Sequence, residues 1–122
     1  MHEQLCALKG LLRAVSRLEE SIRDAYGISL TEALVLCAVD GGCTAAGNLT
    51  DDVGISASRL SRILAQLEKK ALIHRTRRSD DKRNWDNEVT LKGRALLKKM
   101  KNEGIDMPSE LESLGKTIVE GA

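Results

Sequence analysis

Two short helical segments meet at a glycine in the middle of the chain, and this arrangement constrains the fold more than any other feature of the sequence. The first segment extends from about Thr44, which can cap a helix, to Val53. Gly54 then supplies a tight turn, and Ser56 can cap a second helix. The second helix has apolar residues on one face, at Leu60, Ile63, Leu64 and Leu67. Two short helices joined by a glycine turn predict a helix-turn-helix.

The near absence of aromatic residues indicates how the rest of the core is built. The chain contains one Tyr, one Trp and no Phe, so Leu, Ile, Val and Ala must fill the interior. This residue set favours packed helices. A length of 122 residues is typical of one domain. The sequence therefore predicts a mainly α fold in a single domain that covers residues 1–122.

A long amphipathic pattern occupies the beginning of the chain, from about Glu3 to Tyr26. A helix of this length extends over ~36 Å, more than a domain of this size covers. A second pattern follows Pro108, where Ser109 and Glu112 form a capping box. Packing of the two apolar stripes against each other within one chain is an alternative. We expect instead a contact between two subunits, with dimerisation residues Leu5, Leu8, Leu12, Leu111, Leu114 and Ile118.

Local signals define the remaining elements. Ser29 and Glu32 form a capping box that predicts a second helix carrying Leu30, Leu34, Cys37 and Ala38, in which Cys37 is expected to face the core. After Leu72 the pattern changes to two extended runs, residues 73–78 and 85–91, around a Ser-Asp-Asp turn. They predict a basic β-hairpin. Another helix follows, with Gly93 just inside it.

Charge is concentrated in one part of the chain. The whole sequence is nearly balanced, with 19 Lys and Arg against 18 Asp and Glu. Residues 56–83 contain nine of the basic residues and three of the acidic ones, a net charge of +6, which leaves −5 on the other 94 residues. This polarity suggests a polyanionic partner. A solvated helix face followed by a charged loop is the alternative explanation.

The stretch from Leu30 to Leu97 resembles the MarR family (multiple antibiotic resistance regulators) of bacterial transcription factors. The sequence GISASRLSRILAQLEKKALI is similar to the family's recognition helix and following strand. DDKR and VTLKGRALL are similar to its wing motif and the start of its next helix. The family usually has Gly where this chain has Ala71, and Val or Leu in place of Asp86 and Asn87. The resemblance implies a winged helix-turn-helix with a small β-hairpin wing, N- and C-terminal dimerisation helices at 1–28 and 92–122, and a DNA-binding lobe at 29–91.

The resemblance also implies a function. We expect a dimeric, sequence-specific DNA-binding transcriptional regulator of the repressor type that recognises a pseudo-palindromic operator in double-stranded DNA. A winged-helix protein-interaction module that does not bind DNA is the alternative. The wing arginine of the family, here Arg83, enters the minor groove and is oriented by Asp81. The other expected DNA-binding residues are Ser56, Ser58, Arg59, Arg62 and Gln66 on the recognition helix, and Arg75, Arg77, Arg78 and Lys82 on phosphates.

Other classes of function lack sequence support. Three cysteines without a CxxC pair and only two histidines do not form a metal-site pattern, and we expect neither a metal nor a cofactor. No nucleophile stands beside a His and no glycine-rich phosphate loop follows a strand, so an enzyme is not predicted. The lack of a long apolar run predicts a cytoplasmic protein with no membrane partner.

The sequence gives fewer indications of how the DNA binding of this protein is regulated. MarR-like proteins often bind small phenolic or lipophilic effectors, but Tyr26 and Trp85 are the only aromatic residues available to line such a pocket. Some relatives sense oxidants through a thiol in the first helix, where this chain has Cys6. Lys9 is the only basic residue near that thiol, and thiolate activation usually needs a stronger positive field. A small-molecule effector is therefore left open, and a redox role is disfavoured.

Overall fold

A computed structural model describes the backbone of residues 1–43, 46–78 and 81–114, with side chains at these positions other than 46–47, 77–78 and 81–85. The elements follow the order α1 (His2–Tyr26), α2 (Leu30–Asp40), α3 (Ala46–Val53), α4 (Ala57–Lys69), β1 (Ile73–Arg78), β2 (Asp81–Val89) and α5 (Leu91–Glu103). Residues 109–114 are also helical. The predicted mainly α fold with one β-hairpin is confirmed. The predicted cap at Thr44 and the predicted dimerisation residue Ile118 lie outside the described residues.

The chain divides into two units, and the first combines Met1–Leu30 with Gly104–Ala122. In α1, Ala14, Leu18 and Ile22 are buried. Gly27 ends this helix in the left-handed conformation, with φ 73°, which glycine adopts without strain. Two contacts join α1 and its end to the later segment: the Tyr26 hydroxyl donates to the Gly104 carbonyl, and Arg17 Nη2 lies 3.3 Å from Glu110 Oε2.

The second unit is Thr31–Glu103, which contains the helix-turn-helix and the hairpin. Helix α3 packs against α4 and β2, α4 packs against β1, and β2 contacts α5. The strands are antiparallel, with Ile73 opposite Val89 and Arg77 opposite Trp85. An irregularity follows Arg77, since Arg78 pairs with Asp81. The core of this unit is built from aliphatic side chains and one methionine: Ala33, Val35, Leu36, Val39, Leu49, Leu60, Leu64, Leu67, Leu72, Ile73 and Met100.

Helix α2 differs from the prediction in the face that it buries. Cys37 is exposed, so the expectation that it faces the core was wrong, and Leu34 is half exposed. The buried positions are instead Ala33, Val35, Leu36 and Val39, together with Glu32. Residues 33–39 are all apolar, and periodicity cannot select a face in such a run.

Two other boundaries also differ. The second strand covers Asp81–Val89 rather than residues 85–91, because pairing with β1 extends to Asp81 at the hairpin tip. Leu91 is the first residue of α5 and is exposed. After Pro108, the amides of Leu111 and Glu112 donate to the Pro108 carbonyl, each at 3.0 Å, so the helix begins at Ser109 itself, which was predicted to be the cap.

The start of α5 contacts the segment that joins α4 to β1. The Lys92 ammonium donates to the Lys70 carbonyl (2.9 Å), the Thr90 hydroxyl to the Ala71 carbonyl (2.7 Å), and the Thr90 amide to the Leu72 carbonyl (3.1 Å). Ala71 has a φ of 61°, a left-handed conformation that favours glycine. The three carbonyls that follow α4 are therefore all bonded to the first residues of α5 or its cap.

Candidate DNA-binding surface

Helix α4 has one buried and one polar exposed face. Leu60, Leu64 and Leu67 are buried on one side. The predicted cap is confirmed, since Ser56 Oγ accepts a hydrogen bond from the Arg59 amide at 3.2 Å. The opposite face carries Ser58, Arg59, Arg62 and Gln66, and these four residues are exposed, as is the cap residue Ser56.

The first turn of α4 has a contact that the sequence did not suggest. Arg59 Nη2 donates to the hydroxyl of Thr31, on α2, at 3.3 Å. Ser56 Oγ and Ser58 Oγ lie 3.4 Å apart on the same turn. No comparable side-chain contact is found for Arg62 among the described residues. The two arginines of this face therefore differ, because one is held by a neighbouring helix.

The other end of α4 is also joined to α2. Lys70, directly after the helix, donates from Nζ to both carboxylate oxygens of Glu32, at 2.9 and 3.1 Å. Glu32 is buried, so water solvates its carboxylate poorly, and the Lys70 ammonium group supplies the counter-charge. The two residues of this ion pair are 38 positions apart in the sequence, and no local pattern predicts their contact.

The hairpin is described mainly by its backbone. Arg77 and Arg78 lie at the end of β1, and Asp81, Lys82 and Arg83 lie at the start of β2, so all five are at or near the tip. Their side chains lie outside the described part of the structure. Arg75, expected on a phosphate, is half-buried, and Asn87 opposite it is completely buried. The sequence did not predict burial of either residue.

A second basic segment lies beyond the one found from the sequence. Helix α5 carries five basic residues against the single acid Glu103, so the remainder of the chain is not uniformly acidic. All five side chains are exposed: Lys92, Arg94, Lys98, Lys99 and Lys101. Arg94 Nε lies 4.0 Å from Asp40 Oδ1.

The three cysteines are free thiols in different environments. Cys6 is exposed, and its Sγ lies 3.8 Å from His2 Nε2. Burial raises the pKa of the Cys43 thiol, and the negative charge of Asp52 raises it further. Across the described residues, no three His, Cys, Asp or Glu side chains lie close enough together to hold a metal ion.

Two surface grooves are lined by described residues. One, of about 320 Å³, is lined by Val39, Asp40, Asn87, Glu88, Val89 and Arg94. The other, of about 280 Å³, is lined by Arg17, Ser21, Asp106, Pro108, Ser109 and Glu110. Neither lining contains an aromatic side chain, and both consist mainly of polar or charged residues. They do not form the aromatic pocket that a phenolic effector favours.

Comparison with known sequence families identifies the helix-turn-helix lobe. Residues 28–85, which include α2, α3, α4 and the hairpin as far as Trp85, match the sequence model of the MarR family. The lobe belongs to the MarR family. Members of this family are transcriptional regulators, so the lobe is a DNA-binding regulatory domain, and the alternative of a module that binds only protein is not favoured. Transcriptional regulators of this family are not enzymes.

Solved structures agree with the MarR-type fold. The MarR-family regulator Sco3205 from Streptomyces coelicolor, solved in complex with DNA, has a TM-score of 0.75 and 21% identity, over 97% of this chain and 84% of its own. BpsR from Bordetella bronchiseptica, whose DNA binding is regulated by 6-hydroxynicotinic acid, has a TM-score of 0.72 and 20% sequence identity. The alignment covers 84% of this chain and 77% of BpsR. AbsC, a MarR-family regulator from Streptomyces coelicolor, has a TM-score of 0.70 and 19% sequence identity. The alignment covers 84% of this chain and 74% of AbsC.

No curated protein sequence matches the chain. The MarR-type assignment therefore stands on the family match and on the fold. In the part of the chain that is described, none of the helices combines the length and apolar character needed to cross a membrane.

Proposed function

We propose that this MarR-family protein is a homodimeric, sequence-specific repressor that binds a pseudo-palindromic operator in double-stranded DNA. Helix α4 enters the major groove, and the β1–β2 wing enters the minor groove. The observation that carries the proposal is the exposed polar face of α4, which presents Arg59, Arg62 and two neutral donors opposite a buried leucine stripe. An α-helix with donors on its outer face fits the major groove, where base edges carry a readable pattern of acceptors.

Each predicted side chain has a chemical role in this proposal. The planar guanidinium groups of Arg59 and Arg62 bridge the N7 and O6 acceptors of guanine. Ser56 and Ser58 mainly hold phosphates, while Arg83, oriented by Asp81, reads the minor groove. Arg77, Arg78 and Lys82 contact phosphates, with Arg75 contributing less because it is half-buried.

The proposed dimer contact uses the apolar residues at the two ends of the chain. Leu5, Leu8 and Leu12 of α1 are 52%, 52% and 68% exposed, although they are spaced on one helical stripe. Leu114 is 47% exposed. Contiguous exposed apolar surface on a small protein indicates an interaction site. A two-fold dimer buries such a surface against its own copy and places two recognition helices about one DNA turn, ~10 base pairs, apart.

The DNA-binding part is tested by selecting duplexes from a random pool and measuring affinity for the selected site. The variant R59A/R62A should weaken binding by at least about thirtyfold, because each good bidentate contact contributes roughly 1–3 kcal/mol. R13A/R23A is the matched control, since it removes two exposed arginines of α1 with the same change in charge. Wild-type affinity in R59A/R62A would contradict the proposal.

Light scattering tests the dimer. The protein at micromolar concentration should have about twice the monomer mass of 13.3 kDa. A persistent monomer would rule out two-fold recognition of a palindrome. Two inverted half-sites in the selected duplexes would independently support the two-fold symmetry of the dimer.

The proposal also places the protein in the cytoplasm, without a cofactor or enzymatic activity. Because the DNA binding of BpsR is regulated by 6-hydroxynicotinic acid, a small-molecule effector is a reasonable expectation for this protein as well. Its identity is a separate question from DNA recognition.

A further inference from the structure

We infer that Thr31 is a specificity-determining positioning residue, whose hydroxyl holds the Arg59 guanidinium in place for base recognition. The inference rests on the proposed function and adds to it a residue outside the recognition helix and the wing. Its basis is the 3.3 Å hydrogen bond from Arg59 Nη2 to Thr31 Oγ1. Arg59 is exposed in the first turn of α4, the part of a recognition helix that reaches base edges.

The chemistry of this contact suits an arginine that must bind something else. A guanidinium has five N–H donors, and Thr31 takes only one of them, which leaves the others for guanine. The hydroxyl is neutral, so it orients the side chain without cancelling the positive charge that DNA attracts. A carboxylate in the same place would compete with the phosphates.

The position of the hydroxyl is itself fixed by the neighbouring residue. Glu32 contacts Lys70 at the far end of α4 through two hydrogen bonds and is buried. Adjacent residues of α2 therefore contact side chains from the two ends of α4, whose backbone positions 59 and 70 lie about 16 Å apart along the helix axis. The Thr31 hydroxyl is consequently held relative to the helix whose arginine it binds.

Holding the side chain lowers the entropy that is lost when DNA binds. Immobilising a long side chain at an interface weakens affinity by about two- to tenfold if that side chain is free beforehand. Arg62, for which no such contact is found in the described residues, provides an internal comparison. The bond from Thr31 therefore favours the base read by Arg59 over the base read by Arg62.

The test uses the full chain and the duplex selected by the wild-type protein. The variants are T31V, which keeps the side-chain shape but removes the acceptor, T31A, which also removes it, and T31S, which retains a hydroxyl. Each is measured alone and in the R59A background. Affinities are taken on the selected duplex and on duplexes altered at the base pair where R59A loses discrimination, over a range of salt concentrations.

T31V and T31A should weaken binding by about two- to tenfold and reduce discrimination at that base pair, while T31S binds like the wild type. The salt slope should not change, because no phosphate contact is removed. In the R59A background, T31V should cause no further loss of DNA affinity. The unfolding midpoint of the T31V single variant should match that of the wild type.

Two results would overturn the inference. One is wild-type affinity and discrimination in both T31V and T31A. The other is an equal loss with and without Arg59, which would indicate a structural role of Thr31. If R59A itself binds like the wild type and R59A/R62A does too, the proposed function fails instead, so the two failures can be told apart.

Discussion

Gly93 offers a sharp test of how the second unit is packed. A Cβ added at this position would lie 2.3 Å from the Leu72 carbonyl oxygen and 2.7 Å from Val89 Cγ1. Inside an unobstructed helix, replacing Gly with Ala stabilises a protein by about 0.5–1 kcal/mol. At Gly93 we expect the opposite sign, because the alanine methyl group has no space.

The size of the effect follows from what would have to move. Leu72 is buried and its carbonyl accepts a hydrogen bond from the Thr90 amide at 3.1 Å, so retreat of this carbonyl would weaken that bond. Overpacking costs about 1–3 kcal/mol, and loss of one hydrogen bond adds roughly 1 kcal/mol. After the helix-propensity gain, G93A should lower the free energy of unfolding by about 1–3 kcal/mol.

Gly10 is the matched control, since it lies inside α1 and an added Cβ would meet nothing within 4 Å. G10A should therefore raise the free energy of unfolding by about 0.5–1 kcal/mol. Urea denaturation followed by circular dichroism measures both variants. The packing argument is refuted if G93A is as stable as the wild type, or if the two alanine variants change stability in the same direction.

Two further predictions concern Ala71 and Cys43. Because Ala71 has a φ of 61°, A71G should raise the free energy of unfolding by up to about 1 kcal/mol. The control A65G, within α4, should lower it by about 1 kcal/mol. A loss of stability in A71G would contradict the inference that the backbone is strained at Ala71. Burial and Asp52 raise the pKa of the Cys43 thiol, so its alkylation at neutral pH should be slower in the folded than in the urea-unfolded protein, and faster in D52N than in the wild type. The raised pKa also means that this thiol stabilises the fold below its unfolded pKa and that the contribution is lost as the pH rises through the folded pKa, which a stability measurement across alkaline pH would detect.

Elements with local signals could be predicted from the sequence. Gly54 adopts a φ of 75° at the turn, and Ser56 caps α4, because glycine conformation and side-chain capping depend on a few neighbouring residues. The outward face of α4 follows from the spacing of its leucines. The family resemblance then assigned a role to that face, which periodicity alone could not do.

Contacts between residues distant in sequence could not be predicted in this way. Thr31 and Arg59 are 28 residues apart, and Glu32 and Lys70 are 38 apart. The capping-box pattern suggested a local role for Glu32, whereas its carboxylate also holds Lys70. Asn87 is buried at a strand position where a polar residue would be expected to face water. Tertiary packing decides each of these cases.

The bonding of the α4–β1 joint has a consequence for protein engineering. Three successive carbonyls, at residues 70, 71 and 72, are each bonded to Thr90 or Lys92. Because the acceptors are backbone carbonyls, a chimera that replaces Thr90 or Lys92 without the matching α4–β1 joint would lose the side-chain donors of these hydrogen bonds. Transplants that alter operator preference should therefore exchange residues 57–93 as one cassette, or else leave the joint native and redesign only the outward side chains.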